Sequence, residues 1–266
     1  MISGLFIGLC FSVGFILTGL WFNPLVPAAA VATGVLVSIV WAIVAKFRFN
    51  KSFRLAYSPN VSRLCLKSVI RAGKPLPSHV ITARAAVVAI KCPDLNVSAG
   101  EQLAMAVLDF HRKVSSLIKK AGGTIIAAEG NQVTACFGSP LERVLLSNKY
   151  KTSPYDNDPA SPVLWAVDFV SALTARPESA SWQFGLDMGN CAFAWAHLSG
   201  YFALGAPVQR ARALLHMASR YRARIIISAA VCEALPDLPI RKLGAFRGNN
   251  GAGEPFFQLS TSGFTE

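Results

Sequence analysis

The side chains best suited to chemistry in this sequence are few and widely scattered. His111, His197 and His216 have no serine, cysteine or acidic residue at catalytic spacing, so no nucleophilic triad is predicted. The six cysteines form no Cys-x-x-Cys pair and no cluster with histidine at metal-site spacing. The sequence therefore predicts no bound metal and no other cofactor from these residue types.

Charge is distributed unevenly along the 266 residues. The chain has 26 Lys and Arg against 14 Asp and Glu, a net charge of +12, and only 15% of its residues are charged. Residues 1–45 contain no charged side chain, and residues 46–93 contain ten basic residues and no acid. A soluble domain usually has about 25% charged residues. This distribution argues against an ordinary soluble protein, and cations beside an apolar segment favour a membrane surface over nucleic acid.

The uncharged N-terminal segment is long enough for two membrane helices. It divides at Asn23-Pro24 into residues 3–22 and 25–45, each close to the roughly 20 residues that a helix needs to cross the hydrocarbon core. The alternative is a cleaved signal peptide, because residues 26–30 (VPAAA) could serve as a cleavage site, but the basic region that begins a signal peptide is missing. We therefore predict a retained transmembrane hairpin at residues 1–45.

The cations that follow this segment predict its orientation. Lys46, Arg48, Lys51 and Arg54 come directly after Ala45, and the positive-inside rule places such residues in the cytoplasm. The prediction is a multi-pass protein of the inner or plasma membrane with its large C-terminal part in the cytoplasm.

Residues 46–79 form a basic juxtamembrane connector in this interpretation. Two explanations of its charge stay open: the cations hold anionic lipid headgroups, each contributing about 1 kcal/mol near the surface, or they serve only as a topology signal. RNA is the poorer candidate partner, because the cations begin immediately at the predicted membrane boundary.

From residue 80 to residue 266 the pattern is that of one domain of strands and helices. Residues 80–92 predict a strand that is apolar on both faces and hence central in a sheet. Residues 98–101 (SAGE) match a capping box and predict a helix that ends at Gly122-Gly123. Residues 124–137 predict a hairpin that turns at Gly130-Asn131, and residues 161–175 predict a further helix.

The hairpin is the first of three blocks that resemble a known family. Residues 121–138 (AGGTIIAAEGNQVTACFG) resemble the part of class III adenylate and guanylate cyclases in which a Gly-Gly-Thr strand leads to a Gly-Asp turn and a strand ending in Phe-Gly. Residues 184–189 (FGLDMG) resemble the family's Ile-Gly-Ile-His-Thr-Gly strand. Residues 204–211 (LGAPVQRA) resemble the start of its Gly-Asp-Ala-Val-Asn-Leu-Ala-Ser-Arg-Leu helix. The resemblance covers residues 80–260 and implies an α+β, ferredoxin-like βαββαβ core.

The same resemblance assigns the family's functional positions to residues that lack the required chemistry. Class III cyclases hold two metal ions with two carboxylates, and the matching positions are Ala89 and Asn131. The purine-reading lysine and aspartate correspond to Ala127 and Ala206. The ribose-orienting asparagine and the arginine of the transition state correspond to Gln209 and Ala213.

Neighbouring residues offer partial alternatives to the missing groups. Asp94 and Glu129 lie near the two metal positions, but an exposed loop acid and a strand polar residue are the simpler interpretations. Arg210 and Arg212 flank the helix positions and could attract a phosphate, although a solvated helix face is the simpler interpretation. The sequence thus predicts a pseudo-cyclase that conserves the fold without the catalytic residues.

Three functions remain open from the sequence. The favoured one is a membrane-anchored, catalytically silent domain that dimerises with itself, or with another cyclase-like or signalling protein, as a signalling or assembly scaffold. On that view Ala89, Ala127, Ala206 and Ala213 form a surface that is easily desolvated by a partner. The second is an active cyclase that uses non-standard residues, and the third is a membrane-surface adaptor that works through the connector.

Overall fold

The first described helix, α1, is longer than the second membrane helix predicted from the sequence. The computed structural model describes residues 25–57, 80–96, 100–139, 161–196, 200–247 and 253–260, and it divides into two units, Met1–Leu55 and Ala56–Glu266. Helix α1 spans Leu25–Tyr57 without a break at residue 45. Between Gly34 and Pro59 the chain contains no glycine or proline. A proline disfavours helical backbone at the residue before it, which accounts for the end of the helix at Tyr57.

Helix α1 is the one described helix with the length and composition of a membrane span. Its window Val31–Arg48 has a mean hydropathy of 1.7 and is entirely exposed. Large apolar side chains such as Leu36 and Trp41 are 64% and 72% exposed, as expected for a surface that faces lipid. Lys46, Arg48, Lys51 and Arg54 lie on the same continuous helix. The first predicted span, residues 3–22, lies outside the described residues.

The second unit is built on one mixed eight-stranded sheet. Its strand order is β2-β3-β1-β4-β6-β8-β7, with β5 pairing β4. The strands are β1 (Ile81–Lys91), β2 (Thr124–Glu129), β3 (Gln132–Phe137), β4 (Gln183–Ala196), β5 (Gly200–Leu204), β6 (Ile225–Ser228), β7 (Ile240–Arg247) and β8 (Gly253–Leu259). Strand β1 pairs with both β3 and β4, so the central position predicted for it is confirmed.

Helices cover both faces of the sheet. They are α2 (Glu101–Lys120), α3 (Ser161–Thr174), α4 (Ala206–Tyr221) and α5 (Ala229–Ala234), and 3-10 turns form at Pro93–Asn96 and Pro177–Ser179. The order β1-α2-β2-β3-α3-β4 is the predicted βαββαβ core.

The two faces of β1 pack against different helices. Ala86, Val88 and Ile90 belong to the main core, together with buried residues of α2 and α3. Side chains alternate along a strand, so Ala85, Val87 and Ala89 point to the opposite face. Helix α4 contacts β1, β4 and β6 on that opposite face.

The sequence located the end of helix α2 correctly but not its start. The helix ends at Lys120, and Gly122 adopts the left-handed conformation with φ 85° that glycine favours. The predicted capping box is wrong, because the helix begins at Glu101 with Gly100 as its N-cap. Glycine has no side-chain oxygen to cap the helix, and Ser98 lies outside the described residues.

Candidate functional site

Two of the positions assigned by resemblance meet in a row of small residues that crosses four strands. Ala127 of β2 and Ala89 of β1 both pair with Thr134 of β3, and Ala89 also pairs with Gly185 of β4. Paired residues on neighbouring strands project to the same face of a sheet. We call Ala127, Thr134, Ala89 and Gly185 the small-residue row.

The small-residue row is covered by the chain itself at its centre. Ala89 is only 1% exposed and Thr134 is 3% exposed, so the expected contribution of Ala89 to an accessible surface is wrong. The cause is the close approach of helix α4. A Cβ added to Gly185 would lie 2.6 Å from the backbone nitrogen of Leu215, so α4 packs directly on the backbone of β4.

The second predicted metal position lies in a turn that is fixed by hydrogen bonds. The backbone N–H of Cys92 donates to the Asn131 carbonyl at 3.1 Å, and Asn131 Nδ2 donates to the Cys92 carbonyl at 3.3 Å. The ring nitrogen Nε2 of His111 lies 2.7 Å from the carbonyl oxygen of Gly130. Asn131 therefore joins the hairpin turn to the end of β1, and His111 joins the same turn to helix α2.

The three assigned positions on helix α4 face away from the small-residue row. Ala206 is the first residue of the helix, while Gln209 and Ala213 follow one turn apart, and all three are exposed. The structure thus brings Ala89 and Ala127 together with Thr134, and it leaves Ala206, Gln209 and Ala213 on a solvent-facing side of α4. Of the expected small apolar surface, Ala206 and Ala213 are exposed and Ala127 is half-buried, while Ala89 does not contribute.

Arg212 connects helix α4 to the hairpin of β2 and β3. Its Nε donates to Thr134 Oγ1 at 3.3 Å, and its terminal nitrogen lies 3.6 Å from the Glu129 carboxylate. The Arg212 side chain is 37% exposed, so it is partly solvated as the simple interpretation holds, but it also reaches the middle of the small-residue row. Glu129 remains 74% exposed, in agreement with its interpretation as a strand polar residue.

A buried ion pair that the sequence interpretation missed lies on the same face. Asp187 of β4 is fully buried, and its Oδ2 accepts a hydrogen bond of 2.7 Å from Arg210 Nε. Arg210 also donates to Glu254 of β8 at 3.3 Å. Burial raises the pKa of Asp187, and hydrogen bonds from Ser228 and Arg210 partly offset that rise. An aspartate in the middle of the apolar strand FGLDMG was the signal that could have revealed this pair.

The residues present do not fit the metal ions that the resemblance implies. Ala89 offers no ligand, the Asn131 amide is engaged with Cys92, and the positive charge of Arg212 lies beside Glu129. Within the described ranges, no three His, Cys, Asp or Glu side chains are grouped as metal ligands. Asp94 is exposed and lies in the 3-10 turn that follows β1.

Comparison with known proteins identifies the fold. No protein-family model matches the chain, and no curated protein matches it significantly. Among solved structures, a bacterial light-regulated adenylyl cyclase matches with a TM-score of 0.53 and 13% identity, covering 84% of this chain and 64% of that protein. The guanylyl cyclase Cya2 matches with a TM-score of 0.50 and 16% identity, covering 67% of this chain and 92% of that protein.

These similarities establish that the second unit has the fold of adenylyl and guanylyl cyclase catalytic domains. This chain spans about two thirds of the length of the light-regulated adenylyl cyclase. A shared fold does not carry function with it, which depends on the residues of the site.

Proposed function

We propose that this protein is a membrane-anchored, cyclase-like domain that has lost catalysis and acts as a dimeric scaffold in signalling or assembly. One observation carries the loss of catalysis. Ala89 and Ala127, at a metal and a purine position of the family, flank Thr134 in the small-residue row, where neither can bind a cation or read a base. Substitution at Asn131, Ala206, Gln209 and Ala213 removes the remaining groups. The chain therefore has neither the metal carboxylates nor the asparagine and arginine that it would need to contribute to an active site shared with a partner.

The proposed organisation has three parts. Residues 1–45 form the membrane hairpin, residues 46–79 form the basic connector, and residues 80–266 form the cyclase-like domain in the cytoplasm. Support comes from the exposed apolar window of helix α1 and from the cations that continue along the same helix. Attachment to a membrane confines the domains to a plane and raises their effective concentration for pairing.

The proposed partner is a second copy of the chain or another cyclase-like or signalling protein. The pairing is head-to-tail and uses the side of helix α4 that carries Ala206, Gln209 and Ala213, which the structure leaves exposed. Two of these side chains are single methyl groups and the third is uncharged, so covering them removes no charge from water.

A turnover assay tests the loss of catalysis. Full-length protein in detergent is incubated with ATP or GTP and with magnesium or manganese, and cyclic nucleotide is measured by mass spectrometry. We expect no product above a heat-inactivated control, and we expect the same for the double variant Ala89→Asp, Asn131→Asp, because purine and transition-state groups are still missing. Cyclic AMP or cyclic GMP made by the unmodified protein would overturn the proposal.

A crosslinking experiment tests the scaffold. In a chain whose native cysteines are replaced by alanine, Ala213→Cys on the proposed pairing face should give a covalent dimer in native membranes. Ser116→Cys, on the exposed side of helix α2, is the matched control and should give less. Analytical ultracentrifugation in detergent checks the mass, and a strictly monomeric protein with no crosslink contradicts dimerisation.

A further inference from the structure

We propose that the guanidinium of Arg212 places a positive charge at the small-residue row, where the family would hold metal ions. This face then resists binding of a divalent cation even where carboxylates are present. The inference rests on the proposed function, since it concerns the positions that the resemblance assigns to metal ions. It goes beyond the loss of metal ligands, because it assigns Arg212 the position that the missing metal cation would occupy.

The position of Arg212 along helix α4 directs it to the sheet. Successive residues of a helix are rotated by about 100°, so Arg212 and Ala213 point in clearly different directions. Ala213 is exposed, whereas Arg212 is partly buried and contacts Thr134 and Glu129 on two different strands. The arginine therefore lies one residue before the family's arginine position and points about 100° away from it around the helix axis, towards the sheet.

Small side chains leave the space that Arg212 occupies. Thr134, which accepts its hydrogen bond, has an alanine beside it on each neighbouring strand, Ala89 on β1 and Ala127 on β2. A longer side chain at either position would lie next to Thr134 on the same face and would compete with the guanidinium. The two alanines and the arginine thus form one arrangement.

The guanidinium of Arg212 is specifically placed. A guanidinium forms directed hydrogen bonds with oxygen acceptors. Here it lies 3.6 Å from Glu129, the carboxylate two residues before Asn131. A new carboxylate at position 89 or 131 would therefore meet a positive charge already in place, and a divalent cation would be repelled by it.

Binding of manganese to full-length protein in detergent tests the inference, with free Mn²⁺ measured by electron paramagnetic resonance. The reference is the double variant Ala89→Asp, Asn131→Asp. Adding Arg212→Ser should tighten Mn²⁺ binding by about tenfold, which corresponds to about 1.4 kcal/mol. Adding Arg220→Ser instead is the matched control. It removes an equal charge from an exposed position on the same helix and should change the affinity by less than about twofold, since exposed charges are screened.

A milder background keeps the test valid if an aspartate at the buried position 89 prevents folding. The single variant Asn131→Asp, at a partly exposed turn, then serves as the reference, and Arg212→Ser should again tighten Mn²⁺ binding more than Arg220→Ser. Equal affinities with and without Arg212 would overturn the inference. That failure is distinct from failure of the proposed function, which would appear as cyclic nucleotide made by the unmodified protein.

Discussion

Arg210 Nε lies 2.7 Å from Oδ2 of Asp187, and this ion pair joins helix α4 to strand β4 beneath the protein surface. The carboxylate is fully buried, whereas the guanidinium is 31% exposed and also reaches Glu254 of β8. Three elements that are distant in sequence are thereby connected through one arginine.

Removing the guanidinium should destabilise the fold strongly. We expect Arg210→Ala to lower the free energy of unfolding by about 3 kcal/mol at pH 7, because a buried carboxylate loses its cationic donor. Glu254→Ala, which removes the partly exposed end of the same network, should cost less than about 1 kcal/mol. Thermal unfolding of the detergent-solubilised protein measures both, and equal effects of the two variants would contradict this account.

The effect of Arg210→Ala should also depend on pH. Burial raises the pKa of Asp187 in the folded state above its value in the unfolded chain. The folded protein therefore binds this proton more tightly, and stability is lost as pH rises through the folded pKa. Without Arg210 the folded pKa rises further, so the deficit of the variant should narrow as the pH is lowered from 7 towards 5. A deficit that grows over that range would exclude Asp187 as the cause.

The close packing of helix α4 on β4 gives a third prediction. Gly185→Ala places a Cβ 2.6 Å from the Leu215 backbone nitrogen, so the helix must shift. We expect a loss of about 1–3 kcal/mol or more. Gly253→Ala is the matched control, since its Cβ would meet Ala245 at an acceptable 3.4 Å. An unchanged melting temperature for Gly185→Ala would show that α4 does not pack as described.

The predicted topology can be tested with reporter fusions. Alkaline phosphatase fused after Arg54 should be inactive, because the cations that follow the apolar window keep that end in the cytoplasm. A fluorescent-protein fusion at the same position should be bright. Alkaline phosphatase activity at this position would reverse the proposed orientation.

Binding to lipid vesicles tests the electrostatic role of the connector. A chain that begins at Lys46 should bind anionic vesicles and should be released as salt rises, since charges are screened within roughly 8 Å at physiological ionic strength. Replacing Lys46, Arg48, Lys51 and Arg54 by glutamine should weaken this binding. The matched control replaces four exposed cations of the second unit, Arg220, Arg222, Arg241 and Lys242. Equal binding to neutral vesicles, or an equal effect of the control, would argue against the connector.

Elements whose signals are local could be predicted from the sequence alone. The apolar run of β1, the turn at Gly130 and the glycine stop after Lys120 all lie within the segments that they define, and the structure confirms them. Local signals were insufficient at the start of α2 and at the end of α1. No side-chain cap forms at Gly100. Residues 46–57, which contain the basic residues, continue the apolar helix because they include no glycine or proline.

Which side chains share the candidate site depends on contacts between distant elements. Arg212 and Thr134 are separated by 78 positions, and Arg210 and Asp187 by 23, so no short window of sequence contains both partners of either contact. Asp187 in its apolar strand signals that a buried partner is needed, but not which residue supplies it. Both contacts depend on where helix α4 crosses the sheet, and that crossing depends on the missing side chain of Gly185. The burial of Ala89 follows from the same packing. Spacing along the chain specifies elements, whereas contacts between elements depend on how closely their backbones can approach.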